Sequence, residues 1–176
     1  AVAGIVAVAV LNSFSSVSVA LAATLFAGAC IGLINGLLIT RAQINSLIAT
    51  LGMMAILRGG AMVSTQAVSI QGAVDSFIEI GTGHIGPLPI PVLIAFLLLV
   101  LFFYVLHYTT FGRYVYAVGG NPQAARLSGL PMERIRIAVF VIAGLLAALS
   151  AFILASRLNS GQPNAGLGFE LQVIAA

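Results

Sequence analysis

Three side chains that can bind metals or transfer protons lie near one another in the sequence, at Asp75, Glu79 and His84. On a helix, the four-residue spacing between the two carboxylates would place them on one face. A nearby histidine could then complete a ligand set for a divalent cation. Neither HExxH nor a comparable ligand spacing occurs, however, and an acidic pair in a polar segment is usually a solvated surface. The sequence therefore predicts no metal site, no cofactor and no catalytic residue.

The arginines form a second group of residues whose side chains could bind a partner. The polar stretch 111–136 holds four of the seven, at Arg113, Arg126, Arg134 and Arg136, and the chain has no lysine. This stretch is the only long polar interruption in the second half of the chain. We therefore expect contact with a water-soluble partner here. The stretch contains neither GxxxxGK[ST] nor GxGxxG, so we do not expect this chain itself to hold a nucleotide.

The composition shows whether these residues belong to a soluble protein or to a membrane protein. Hydrophobic residues make up 61% of the chain and charged residues 6%, whereas a soluble domain has about a quarter charged residues. Repeated apolar runs of helix-spanning length predict an all-α, polytopic transmembrane helical bundle with short interfacial helices, rather than a β-barrel. The formal charge of +3 then reports orientation rather than nucleic-acid binding. The lone Cys30 lies in an apolar run and is interpreted as a packing residue.

The apolar runs predict the order of the spans. The chain is interpreted as one transmembrane domain, 1–176, that is a fragment lacking amino- and carboxyl-terminal spans. Residues 44–57 are short for a span, and this segment could extend past Arg58, tilt or end part-way across. The remaining predicted segments are the end of a helix at 1–11, a turn at 12–16, spans at 17–40, 91–108 and 137–156, and the start of another helix at 171–176.

Glycines recur every four residues in the first full span, at Gly28, Gly32 and Gly36. Small residues at this spacing allow a neighbouring membrane helix to approach closely, so we expect these three to pack against another helix. Asn35 lies beside this face. A single amide in a membrane helix either joins helices by a hydrogen bond or faces a pore, and Asn35 remains a candidate for both roles.

The distribution of arginine predicts which loops face the cytoplasm. If 111–136 is cytoplasmic and each span crosses, five arginines lie inside, and only Arg58 and Arg157 lie outside with the periplasmic loop 64–87. The opposite orientation reverses this ratio, so the positive-inside rule favours the first. The prediction requires the segment 44–63 to cross the membrane.

Within 111–136, the pattern GGNPQAARLSG is typical of a short capped helix. Asn121 is a good N-cap, Pro122 suits the first helical position, and Gly129 suits the end. A basic helix lying on the membrane surface would have the same pattern, so spacing alone does not assign a partner.

The motifs together identify a family. The stretch TFGRYVYAVGGNPQAARLSGLPMERIRIAVFVIAGLLAALSA at 110–151, RLNSGQPNAGLGFE at 157–170 and ATLGMMAILRGGAMV at 49–63 closely resemble the permease subunits of bacterial ribose-type ABC importers. The resemblance extends over nearly the whole chain and implies a multi-pass permease of the bacterial inner membrane that imports a monosaccharide. It implies that 111–136 is the cytoplasmic segment that couples the permease to an ATPase. The matching residues are Gly119, Gly120, Asn121, Ala124, Ala125, Arg126, Ser128 and Gly129.

The resemblance also implies partners. These are a cytoplasmic ABC ATPase subunit, a periplasmic sugar-binding protein that meets outer segments such as 158–170, membrane lipid, and a second permease copy or homologue. A branched-chain amino-acid permease is the alternative within transport. An intramembrane enzyme would need paired catalytic groups within the spans, which the sequence does not offer, and a purely structural scaffold would not explain a capped loop rich in arginine. The sequence does not name the sugar.

Overall fold

The chain forms a bundle of helices, seen in a computed structural model that describes residues 1–72, 75–166, 168 and 175. The predicted all-α class is confirmed. In chain order the elements are α1 (Val2–Phe14), α2 (Val17–Arg41), α3 (Ser46–Thr65), β1 (Ile70–Gln71), α4 (Asp75–Thr82), β2 (His84–Ile85), β3 (Leu88–Pro89), α5 (Ile90–Tyr108), α6 (Thr110–Gly120), α7 (Pro122–Leu127), α8 (Met132–Leu158) and β4 (Ser160–Gly161). Among them α2, α3, α5 and α8 are long and apolar enough to cross a membrane.

The antiparallel pair of α2 and α8 forms the centre of the bundle. Gly28, Gly32 and Gly36 are all buried and lie on the side of α2 that faces α8. A Cβ placed at Gly32 would lie 2.9 Å from the Cα of Val141, closer than two such atoms can pack. Gly144 on α8 faces Gly28 and Gly32 in the same way. The glycines thus bring two backbones together where lipid provides no hydrophobic driving force.

The segment that the sequence left undecided is one continuous helix. α3 runs for 20 residues through Gly52, Arg58, Gly59 and Gly60. The alternative in which the segment extends past Arg58 is the one observed, and Arg58, counted among the outer arginines, lies about 18 Å along a helix of about 30 Å. Glycine does not break α3, since a backbone amide in an apolar medium finds its acceptor most readily within the helix. The buried residues of α3 are Ala61 and Thr65, so only the last part of this helix packs closely against the rest of the bundle.

Several contacts bring one set of helix ends together, which we call the β1–β4 end. β1 pairs with β4 in antiparallel register, with Ile70 opposite Gly161. The side-chain amide of Asn12, near the end of α1, donates to the carbonyl oxygen of Gln71 at 2.9 Å. Because the ends of α1, α3 and α8 meet here and α2 begins here, α3 must run from the opposite end of the bundle to this one.

The short helix α4 packs on the last turns of α8 at the β1–β4 end. The Ser156 hydroxyl donates to the backbone carbonyl of Phe77, and both residues are buried. The Phe77 ring meets the Phe152 ring edge to face, with centroids 5.2 Å apart. The segment 64–87, predicted as a loop, therefore contains the end of α3, the helix α4 and part of the β2–β3 hairpin.

The opposite set of ends, which we call the α7 end, contains a helix that the sequence reasoning missed. Residues 111–120 were assigned to a polar loop, but α6 covers them. The Thr109 side chain caps α6 by accepting from the Gly112 amide at 3.3 Å. A Cβ at Gly112 would overlap the Leu106 carbonyl, so glycine permits the tight connection from α5 to α6. α6 packs Val118 and the partly buried Val115 against Ala125 and Ile135, while Arg113 stays exposed.

Two further predictions concern segments nearer the ends of the chain. The predicted turn at 12–16 is shorter, because α1 continues to Phe14 and Ser15 takes a left-handed φ of 50°. The helix predicted to begin at 171–176 and the distal part of 158–170 lie largely outside the described residues.

Candidate functional site

The helix α7 is capped at both ends by intramolecular hydrogen bonds. The predicted N-cap is confirmed: the Asn121 side-chain oxygen accepts from the Ala124 amide at 3.0 Å. At the other end Ser128 is the C-cap and Gly129 follows it with a φ of +73°. The Gly129 amide donates to the Arg126 carbonyl at 3.1 Å, and the Leu130 amide donates to the Ala125 carbonyl at 3.2 Å. This pair of bonds is a Schellman motif, which requires the left-handed residue that glycine provides.

A small apolar cluster attaches α7 to its neighbours. Ala125 is buried together with Val118 of α6 and Ile135 of α8. Among the residues predicted for coupling, Ala125 thus points into the protein and positions the helix rather than meeting a partner. α7 is consequently held to both adjacent helices as well as capped.

The outer face of α7 is accessible to a partner. The other residues predicted for coupling are exposed: Gly119, Gly120, Asn121, Ala124, Arg126, Ser128 and Gly129. Leu127, which the sequence reasoning did not single out, is 90% exposed. Its exposure beside Arg126 on α7 makes its side chain accessible to a partner. The sequence alone carries no signal for it, because the exposure of Leu127 depends on what the other helices leave uncovered.

Positive charge collects beside α7. A cleft of about 440 Å³ separates the end of α2 from the start of α8, and its lining includes Arg126, Arg134 and Arg136 with the single carboxylate Glu133. Thr40 and Gln43, from the end of α2, complete one wall. The cleft therefore has the chemistry to bind an anionic or carboxylate-bearing surface.

A second cleft lies between α2, α3 and α8, and the start of α1, from Ala1 to Ala3, forms part of its wall. It has a volume of about 370 Å³, and mostly apolar side chains line it together with Asn35, Thr50 and Arg58. The Asn35 Oδ1 atom is buried and has no hydrogen-bond partner. Thr50 donates its hydroxyl to the Ser46 carbonyl at 2.8 Å, which leaves its oxygen free to accept. Asn35 therefore faces this cleft and does not join two helices through Oδ1.

The polar segment with Asp75, Glu79 and His84 has no assembled site in the described part of the chain. Glu79 and His84 are exposed. Within the described residues, no group of three histidine, cysteine or acidic side chains could hold a metal ion.

The four apolar helices, each long enough to cross a membrane, and the contacts between the helices define a multi-pass membrane protein built as a helical bundle. Its type follows from comparison with known proteins. A family model described as the branched-chain amino acid transport system / permease component matches residues 1–176. The chain belongs to this family of transport permeases, and the family resemblance drawn from its motifs is confirmed.

Individual relatives are similar along the entire chain. The L-arabinose ABC transporter permease protein of Azospirillum brasilense is 40% identical over 176 residues, which is 100% of this chain and 52% of that protein. The ribose import permease protein of Escherichia coli is 41% identical over 180 residues, covering 100% of this chain and 56% of that protein. The L-arabinose transport system permease protein of Escherichia coli is 41% identical over 176 residues, covering 100% and 54%. The chain thus spans about half the length of these curated relatives. No solved structure matches it.

Proposed function

We propose that this chain is the membrane-spanning part of a permease subunit that imports a monosaccharide, driven by a separate ATPase. The observation that carries the proposal is the identity of about 40% along the full chain to permeases named for ribose and arabinose. The family description names branched-chain amino acids, which makes an amino-acid permease the competing function. The relatives favour a sugar, because the individual permeases that match this chain at about 40% identity are named for ribose and arabinose.

The α7 end faces the cytoplasm in this proposal, and the β1–β4 end faces the periplasm. Five arginines lie at or near the α7 end: Arg41, Arg113, Arg126, Arg134 and Arg136. Arg157 is near the other end, and Arg58 is inside α3. The imbalance of charge supports the orientation under the positive-inside rule, and such a protein belongs in the bacterial inner membrane.

The segment 119–129 acts as the coupling element in this proposal. Leu127 enters an apolar pocket on the ATPase and Arg126 pairs with a carboxylate beside it. Because α7 is capped at both ends and attached to α6 and α8 through Ala125, a push on its exposed face moves those helices with it. A movement of the ATPase on binding nucleotide would in this way reach the membrane spans.

The remaining partners follow from the same orientation. A periplasmic sugar-binding protein would dock at the β1–β4 end. A second permease copy or a homologue would complete the translocation pathway. α5 has no buried residue, so in the assembly it would be covered by lipid or by another subunit.

Reconstitution of the complete permease with its ATPase and binding protein in proteoliposomes tests the function. D-ribose or L-arabinose is expected to stimulate ATP hydrolysis and to accumulate in the vesicles, whereas L-leucine is expected to do neither. Stimulation by leucine and by neither sugar would establish the competing function. A complex with an ATPase that cannot hydrolyse ATP is the matched control, and it should take up no sugar.

A further inference from the structure

The cleft between α2, α3 and α8 has the position expected of a passage through the membrane. Its α2 residues, Gly28 to Asn35, and its α3 residues, Thr50 to Arg58, lie in the middle parts of helices that run between opposite ends of the bundle. Its volume of about 370 Å³ falls within the range of small-molecule sites, about 300 to 1,000 Å³. α3 forms one wall and the closely packed pair of α2 and α8 forms another, while the start of α1 and Ala165 and Gly166 line the remaining sides.

Two polar groups of the cleft, the Arg58 guanidinium and the Asn35 Oδ1 atom, lack partners of their own. No hydrogen bond or ion pair of the Arg58 guanidinium occurs in the described part of the chain, and the Asn35 Oδ1 atom is buried without a donor. A charged group within a membrane helix is costly, and it commonly marks the route of a substrate or an ion. An unpaired buried amide oxygen carries a similar penalty. Both groups would be satisfied by a ligand that offers acceptors and donors together.

A polyhydroxylated, uncharged ligand has this combination of groups. Each hydroxyl can accept from the Arg58 guanidinium and donate to the Asn35 oxygen or the Thr50 oxygen. A free amino acid would present an ammonium group as well, yet the cleft lining contains no carboxylate to pair with it. The apolar side chains Met53, Met54 and Leu57 would contact the C–H faces of a sugar ring without holding it tightly.

We propose that this cleft is the part of the translocation pathway that contacts the sugar within the membrane, with Arg58 and Asn35 hydrogen-bonding its hydroxyl groups. The proposal rests on the proposed function and adds to it the residues that touch the passing substrate. Arg58 and Asn35 lower the barrier to entry of a polar solute by replacing part of the water that it leaves behind. The two side chains therefore affect the movement of the sugar through the cleft and do not affect the coupling element.

Uptake by the reconstituted complex provides the first test. Arg58→Leu and Asn35→Leu are each expected to lower the initial rate of D-ribose or L-arabinose uptake about tenfold, the effect of losing one hydrogen bond to a buried group. Arg58→Lys should retain more activity than Arg58→Leu because it keeps the charge. The matched controls are Ile56→Ala on α3 and Leu33→Ala on α2, whose side chains are exposed, and they should transport at the wild-type rate.

Thiol labelling distinguishes a substrate contact from a structural role. Thr50→Cys, Met54→Cys and Arg58→Cys are made in a background without other cysteines, Cys30→Ser included, and treated with a water-soluble methanethiosulfonate. All three are expected to react, and D-ribose supplied through the binding protein should slow the reaction. Ile56→Cys should not react, because its side chain would face lipid.

The outcomes separate this inference from the function on which it rests. If the wild-type complex moves neither sugar, the proposed function and this inference both fail. If it moves a sugar, and uptake by Arg58→Leu and Asn35→Leu is normal or the three thiols are not protected, only this inference fails. An Arg58 side chain that merely reaches the lipid headgroups would give that second result.

Discussion

Replacing Gly144 by alanine tests the close approach of α2 and α8 most directly. A Cβ at position 144 would overlap the carbonyl oxygen of Gly28 and would lie 3.1 Å from the Cα and the amide nitrogen of Gly32. All three are backbone atoms, so no side chain can rotate away to relieve the contact. The two helices must instead separate, and their packing along the glycine face is lost.

The expected magnitude combines two opposing effects. Adding a methyl group to a well-packed interface costs about 1 to 3 kcal/mol, whereas exchanging glycine for alanine within a helix favours folding by about 1 kcal/mol. Gly52→Ala isolates the second effect, because a Cβ at Gly52 meets no atom within 4 Å. The free energy of unfolding of Gly144→Ala should therefore lie about 1 to 3 kcal/mol below that of Gly52→Ala.

Thermal unfolding of the complete permease in detergent measures this difference. The shift in Tm is about 2 to 4 °C per kcal/mol for 150–250 residues and about half of that for a permease as long as the relatives, of which this chain spans about half. The Tm of Gly144→Ala should therefore lie about 1 to 6 °C below that of Gly52→Ala. Gly60→Ala is a second control, since a Cβ there also meets no atom within 4 Å. Equal Tm values for the three variants would show that α2 and α8 do not approach as closely as described, and the packing argument would be refuted.

Four further substitutions test the two ends of the bundle. Asn121→Ala removes the N-cap of α7, which is worth about 1 kcal/mol, and should weaken stimulation of the partner ATPase by sugar while leaving membrane insertion unchanged. Arg126→Glu should abolish that stimulation by reversing the charge of the docking face, and normal stimulation would remove Arg126 from the contact. Leu127→Asp should dissociate the ATPase in a pull-down, whereas Leu127→Met should keep it bound. Ser156→Ala leaves the Phe77 carbonyl without its donor and should lower stability by about 1 to 3 kcal/mol, with faster hydrogen exchange in α4.

The sequence predicted those features that local chemistry determines. Hydropathy located α2, α5 and α8 to within a few residues, and the caps of α7 followed from Asn121 and Gly129 because each occupies a backbone conformation suited to that residue type. The class of protein followed from composition. These features depend only on residues that are close together in the sequence, so they can be predicted from it.

The features that depend on distant residues were missed or left open. α6 was mistaken for a loop because its glycines and arginine resemble loop composition, while the contacts that stabilise it involve α7 and α8. Arg58 was counted among the outer arginines because the spans were taken to alternate, whereas α3 places it in the middle part of a helix, beside the cleft. The two roles of Asn35 stayed open because the burial of its Oδ1 atom and the cleft beside it depend on helices distant in sequence. Leu127 gave no signal because its exposure depends on what the rest of the bundle leaves uncovered.

The contact between Gly28 and Gly144 also constrains how the protein is made. The two residues are separated by more than half of the chain, so α2 leaves the ribosome long before α8 exists. Each span can insert into the membrane alone because its backbone hydrogen bonds are internal, and helices associate only afterwards. Until α8 arrives, the glycine face of α2 remains open to lipid, where it gains little from contact with hydrocarbon chains. The pairing of β1 with β4 also cannot form until α8 has been inserted, because β4 follows α8 in the chain. The packing of α2 on α8 and the pairing of β1 with β4 therefore form together, late in biogenesis.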